Sequence, residues 1–226
     1  MASPPSIRPI RSYVRREGRL TPAQRRALAS FWPSYGADPV PGLLDFIALF
    51  GRDAPCVLEI GFGDGEALAA MAQAHPDWNY LGIEVHRPGI GHLLMRLQTL
   101  ALDNVRVMCG DAADIMRTHL ADASLERVQI FFPDPWQKSR HHKRRLIQPE
   151  FVALLARKIR SGGLLHLATD WRDYAEHMLA VLATAGDFTN TSAGFIPRPV
   201  DRPLTKFEQR GLRLGHEVWE LQFRRR

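Results

Sequence analysis

From residue 41 onward, short apolar runs alternate with stretches of helical spacing, and few architectures accommodate that order. Residues 55–60 form an apolar run that ends at a glycine loop, and 66–75 carry a helical pattern. Residues 80–84 and 105–109 are further strand-like runs, with a helix over about 88–101 between them. A strand follows over 127–132, then a helix over about 149–160. A strand at 164–168 comes after Gly162 and Gly163, a helix covers about 171–185, and a last strand lies around 217–223. Strands separated by helices imply a parallel sheet covered on both faces, an α/β fold. In open sheets of this kind, ligands bind beyond the carboxyl ends of the strands. Glu59, Glu84, Asp111, Asp134 and Asp170 all fall at those ends. A single acid there reads as a helix cap or turn residue; five in series line one crevice.

The loop after the first strand reads Glu59-Ile60-Gly61-Phe62-Gly63-Asp64-Gly65. Gly61 and Gly63 let the backbone turn sharply and approach a ligand without side-chain obstruction. The pattern differs from G-x-G-x-x-G, since residue 66 is Glu. A dinucleotide's pyrophosphate at this helix start would face carboxylates at 59, 64 and 66, which repel it. S-adenosylmethionine has no phosphate, and carboxylates attract its sulfonium and ammonium. Glu84, at the end of the second strand, suits the ribose hydroxyls of either cofactor. Asp111 suits an adenine amino group. The charges therefore favour S-adenosylmethionine, with a ligand-free structural turn as the plain alternative.

Residues 131–145 read FFPDPWQKSRHHKRR. An aspartate fixed between two prolines adjoins aromatic rings and a cationic run, a combination that suits a flat base and its phosphate backbone together. On the run alone, a solvated basic loop is an equal alternative. Phe132 and Trp136 either stack on a base or pack under the loop. His141 and His142 lack further ligands at metal spacing, so no metal is expected.

With these segments in view, the chain resembles bacterial tRNA (guanine-N7-)-methyltransferases of the class I, S-adenosylmethionine-dependent fold. The resemblance runs from Arg11-Ser12-Tyr13-Val14-Arg15 to Val218-Trp219-Glu220-Leu221, nearly the whole chain. The segments FFPDPWQKSRHHKRR and RPLTKFEQRG (202–211) are specific to that family; the glycine loop is shared more widely. The resemblance implies a Rossmann-like, mostly parallel seven-stranded sheet with helices on both faces. It implies cofactor contacts from Glu59, Glu84, Asp111 and Asp134, with Asp134 also the catalytic residue. Lys138, Asp170, Thr205, Lys206, Phe207 and Glu208 would contact the guanosine. Arg140, His141, His142, Lys143, Arg144 and Arg145 would meet the RNA. The family's usual substrate is guanosine 46 of the tRNA variable loop.

Charge and composition agree with a polyanionic partner. The net charge is +6 over 226 residues, a length that suits one large α/β domain or one domain with an extension. Seven arginines fall in the first 26 residues. Residues 1–40 read as a basic arm, poorly ordered over 1–20, with a short helix at 21–30. That helix opens with Thr21 as N-cap and Pro22 at the first helical position. Residues 41–226 form the cofactor-binding domain. No apolar run is long enough to span a membrane, and the N-terminus lacks a secretory pattern, so a cytoplasmic protein is expected. Cys56 and Cys109 read as buried free thiols.

Overall fold

The computed structural model describes residues 12–13, 18–39 and 41–226; most of the expected arm over 1–20 lies outside the described residues. Helix α1 spans Pro22–Tyr35 and α2 spans Phe46–Phe50. Then follow β1 (Cys56–Ile60), α3 (Glu66–Ala74), β2 (Asn79–Glu84), α4 (Arg87–Leu100), β3 (Val105–Cys109), α5 (Ala112–His119) and β4 (Leu125–Phe131). A 3₁₀ helix (Ser139–Arg144) leads to α6 (Pro149–Lys158), β5 (Ile159–Thr169), α7 (Arg172–Thr184), β6 (Phe188–Asn190), α8 (Lys206–Arg213) and β7 (Trp219–Arg225).

The seven strands form one sheet in the order β3-β2-β1-β4-β5-β7-β6. Strands β1 to β5 pair in parallel, whereas β7 runs antiparallel to β5 and β6. Successive strand residues feed opposite faces, as the pleat demands. Leu58, Ile83, Met108 and Val128 pack on the side of Ile115, Phe151, Leu155 and Met178 from α5, α6 and α7. Val57, Tyr80 and Val107 pack on the side of Ala27, Leu68 and Leu93 from α1, α3 and α4. Leu58 is fully buried at the centre; truncating such a side chain to Ala costs about 2–5 kcal/mol. Chain order reverses between β1 and β4, and the crevice at their carboxyl ends is where this topology places a ligand.

The differences from the expected elements have local causes. Thr21 caps α1 as foreseen: its hydroxyl accepts from Gln24 N (3.2 Å), and Thr21 N donates to Gln24 Oε1 (2.8 Å). Such a cap contributes about 1 kcal/mol. The helix nevertheless continues past Pro33 to Tyr35, beyond the expected end at 30. It is held by tertiary contacts: Gln24 packs against Gly91 of α4, and Ala37 N donates to Val107 O (2.8 Å) on β3. Strand β5 starts at Ile159 rather than 164 and passes through Gly162–Gly163. A β-carbon at Gly163 would stand 2.7 Å from Glu126 O, so glycine lets β4 and β5 approach. Helices α2, α5 and α8, the 3₁₀ helix and β6 were not expected. They are short, and among them α5 buries only Ile115 and Met116. Cys56 is buried as expected, but Cys109, the last residue of β3, is exposed. No helix among the described residues is long and apolar enough to cross a membrane.

Candidate active site

Two cavities open along the carboxyl ends of the parallel strands. The first, of about 380 Å³, is lined by Glu84, His86, Asp111, Asp134 and Leu146 among others. The second, of about 820 Å³, is lined by Glu59, Asp64, Glu66, Arg96 and Thr205 among others. Gly61, Phe131 and Phe132 line both, so the cavities adjoin at the end of β4. Both volumes fall within the ordinary range of small-molecule sites.

The glycine loop builds the shared wall. Gly61, Gly63 and Gly65 all have positive φ (73°, 57° and 71°), a region that side chains disfavour. Glu84 fastens the loop from below. Its Oε2 accepts from Gly63 N (2.9 Å), and Oε1 accepts from Val85 N (2.7 Å) and His86 N (2.9 Å). Asp111 is the N-cap of α5, accepting from Ala113 N (2.9 Å) while lining the first cavity. Asp111 is therefore both a helix cap and a lining residue of the first cavity.

Glu59 differs from the other acids. It is 2% exposed, and its Oε2 has no hydrogen-bond partner among the described residues. Burial pushes its pKa up to about 7. A hydrogen bond with Gln129 pulls it down, the Glu84 charge raises it, and the Arg202 charge lowers it. A buried carboxylate with an open acceptor suits a cationic group entering the second cavity.

Asp134 is exposed and lines the first cavity, at the centre of a strained turn. Phe132 and Trp136 on either side have φ of 52° and 48°. A bulky residue pays about 1–2 kcal/mol for that conformation, and Phe132 also precedes a proline, which disfavours it further. The turn is held at several points. Phe132 N donates to Ala168 O (2.8 Å), Trp136 Nε1 to Ser12 O (3.0 Å) and Arg145 Nε to Pro135 O (3.0 Å). The Arg144 guanidinium lies 3.9 Å from the centre of the Trp136 ring, and the His141 ring meets Trp136 edge-on. Strain held by surrounding contacts is a recurrent mark of functional turns.

Beyond the turn, the 3₁₀ helix and its N-cap residue display Lys138 (the cap), Arg140 and Lys143 to solvent, with His141, His142 and Arg144 partly covered. Partial desolvation and the charges of Arg140, Arg144, Lys138 and Lys143 hold the His141 pKa below its ordinary value. Arg145 departs from the expected RNA-facing role. It is 2% exposed, pairs with Asp173 and covers the Tyr174 ring, so its guanidinium braces the turn from inside.

Asp170 lies half-buried at the end of β5, 3.7 Å from His216 Nδ1. Thr205 caps α8 by accepting from Glu208 N (3.2 Å) and lines the second cavity. The side chains of Lys206 and Phe207 lie outside the described residues. Glu208 departs from the expected guanosine contact: it is 3% exposed, and both carboxylate oxygens accept from Arg202 (2.7 and 2.6 Å). Sequence reasoning missed Arg202, His166 and Glu220, which share that interior. An arginine in a proline-rich loop reads as surface, and no local signal marks it as buried.

Comparisons with known proteins agree with this geometry. A family model described as a putative methyltransferase matches residues 53–221. A tRNA (guanine-N(7)-)-methyltransferase of Alkalilimnicola ehrlichii is 58% identical, covering 97% of this chain and 94% of that protein. The protein of the same name from Halorhodospira halophila is 58% identical, over 97% and 96%. The solved structure of the 16S rRNA methyltransferase KamB superposes with a TM-score of 0.61 at 16% identity. It covers 83% of this chain and 97% of its own, a likeness of fold. Precorrin-6y C5,15-methyltransferase from Geobacter metallireducens shares the fold at a TM-score of 0.54 and 14% identity, over 77% and 81%.

Proposed function

The chain belongs to the tRNA (guanine-N(7)-)-methyltransferase family, and from that premise we propose that it methylates N7 of guanosine 46 in the tRNA variable loop, using S-adenosylmethionine. The reading is carried by the junction of the two cavities at Gly61, Phe131 and Phe132, with Asp134 on the adjoining turn. The donor set fits the cofactor. Glu84 and Asp111 line a cavity that suits an adenosine, and the open Oε2 of buried Glu59 suits an ammonium. When bound, S-adenosylmethionine supplies the electrophilic methyl group.

The protein's own task is then chiefly positioning. Guanine N7 carries an in-plane lone pair, so no proton has to leave before attack and no strong base is required. Holding the acceptor in line with the methyl group removes much of the barrier. Asp134, fixed by its strained turn, stabilises the positive charge that develops on the purine and accepts from its N–H groups. Lys138, Asp170, Thr205, Lys206 and Phe207 contact the guanosine. Arg140, His141, His142, Lys143 and Arg144 meet the RNA backbone in the cytoplasm, while Arg145 and Glu208 support the site from within. The test is methyl transfer to unmodified tRNA with the product nucleotide mapped. One 7-methylguanosine at position 46 is expected; modification of another base or atom overturns the reading.

A further inference from the structure

Four ionisable side chains from distant parts of the chain meet beneath the Pro-Asp-Pro turn. Arg202, from the loop before α8, is fully buried. Its Nε donates to Glu220 Oε1 on β7 (2.6 Å), and its two terminal nitrogens donate to the Glu208 carboxylate on α8. The second oxygen of Glu220 lies 2.7 Å from His166 Nε2 on β5, and both residues are 1% exposed. The Arg202 guanidinium also lies 5.5 Å from the centre of the Phe131 ring and 5.8 Å from that of Phe132. His166 meets Phe131 edge-on at 5.0 Å. The Arg202 backbone is itself tied: its N donates to Pro199 O, and its O accepts from Arg198 (2.6 Å).

The guanidinium therefore holds two pieces of the site at once. Through Glu208 it fixes the first turn of α8, where Thr205 lines the second cavity. Through its ring contacts it bears on Phe131 and Phe132, the wall shared by both cavities and the left-handed start of the Asp134 turn. We propose that Arg202 is a positioning residue for methyl transfer, locking the Thr205 segment and the Asp134 turn into one register so that acceptor and donor meet in line. The proposal rests on the methyl-transfer reading above. A planar fork that hydrogen-bonds two carboxylates while facing aromatic rings is something a lysine ammonium cannot reproduce. Small misplacements in such a site are costly in rate.

Arg202→Lys and Glu208→Gln, singly and together, test this by steady-state kinetics on unmodified tRNA, with thermal melting as a check of folding. If the wild-type protein transfers no methyl group, the functional reading itself fails, separately from this proposal. Given an active wild type, folded Arg202→Lys is expected to lose about tenfold or more in kcat, with the KM for S-adenosylmethionine within about twofold. Glu208→Gln should act through the same unit, so the double variant loses less than the product of the single losses. An Arg202→Lys protein with kcat within about twofold of wild type overturns the proposal. So does a Glu208→Gln variant that raises only the KM for tRNA, the behaviour of a direct guanosine contact. If Arg202→Lys does not fold, the Glu208→Gln variant decides by the same kcat-against-KM split.

Discussion

The turn that carries Asp134 is held by an arginine and an aromatic ring at each end, and the two ends differ in kind. At Phe132 the arginine is Arg202, fully buried and hydrogen-bonded to Glu208 and Glu220. At Trp136 it is Arg144, half-buried on a 3₁₀ helix whose other cations reach solvent. Both aromatic residues have positive φ, so both ends resist the same backbone strain. The interior end spends its charge on fixed partners in a low-dielectric setting, where losing one partner leaves another charge buried and unpaired. The outer end works in water, where a cation's contacts are weak and easily exchanged. One end is built to hold; the other lies at the surface, where the proposed RNA contact would fall.

The largest effect should come from breaking the interior end. Arg202→Met leaves Glu208 and Glu220 without their cation and should destabilise the fold by about 3–5 kcal/mol in urea denaturation. Arg144→Gln should cost no more than about 1 kcal/mol by the same measurement. Equal losses would mean that the two ends are not different in kind.

Between the two ends, Asp134→Asn should lower methyl transfer by about 100-fold or more, because a fixed charge facing the developing cation is lost. Binding of tRNA should persist in a filter or mobility assay; retained turnover would remove Asp134 from the proposed chemistry. At the outer end, neutralising Arg140 and Lys143 should weaken tRNA binding and lower its salt dependence by about 1.5–2 in log–log slope. Arg145→Gln, by contrast, should loosen the turn with that slope unchanged, since its guanidinium is buried against Asp173.

The smallest effect concerns Glu59. Its folded pKa is raised to about 7, chiefly by burial, above the ordinary carboxylate range. In the ligand-free protein this group therefore favours folding below the ordinary carboxylate pKa. That contribution fades as pH rises through about 7 and the buried acid must ionise. An entering ammonium prefers the ionised form, so S-adenosylmethionine should bind more tightly as pH rises through about 7. Glu59→Gln should flatten that dependence in a titration; an unchanged pH profile would place the ammonium elsewhere.

How far the chain could be read depended on the range of each interaction. The five parallel strands and the helices α3, α4, α6 and α7 were legible because periodicity and glycine punctuation are local signals. The Thr21 cap was legible for the same reason. Helix α1 outran its expected end because Tyr35 is buried and the chain just past it pairs with β3 at Val107, and sequence spacing does not record such contacts. Of the five strand-end acids read as lining one crevice, Glu84, Asp111 and Asp134 line the first cavity and Glu59 the second, while Asp170 lines neither. Glu84 and Asp111 tie up backbone N–H groups, whereas Glu59 keeps an open oxygen.

By itself the sequence determined the alternating α/β order, the glycine loop, the family motifs and the row of acids at the strand ends. These depend on pattern and residue type within a few positions. Only the tertiary structure decided which charges line a cavity or reach solvent and which hold the frame. Arg145 and Glu208 sit inside motifs read as binding elements, and both are buried in ion pairs. Burial depends on what packs over a residue from far along the chain. Here β5, β7 and the loop at Arg202 converge on Glu208, while Asp173 and Tyr174 of α7 cover Arg145.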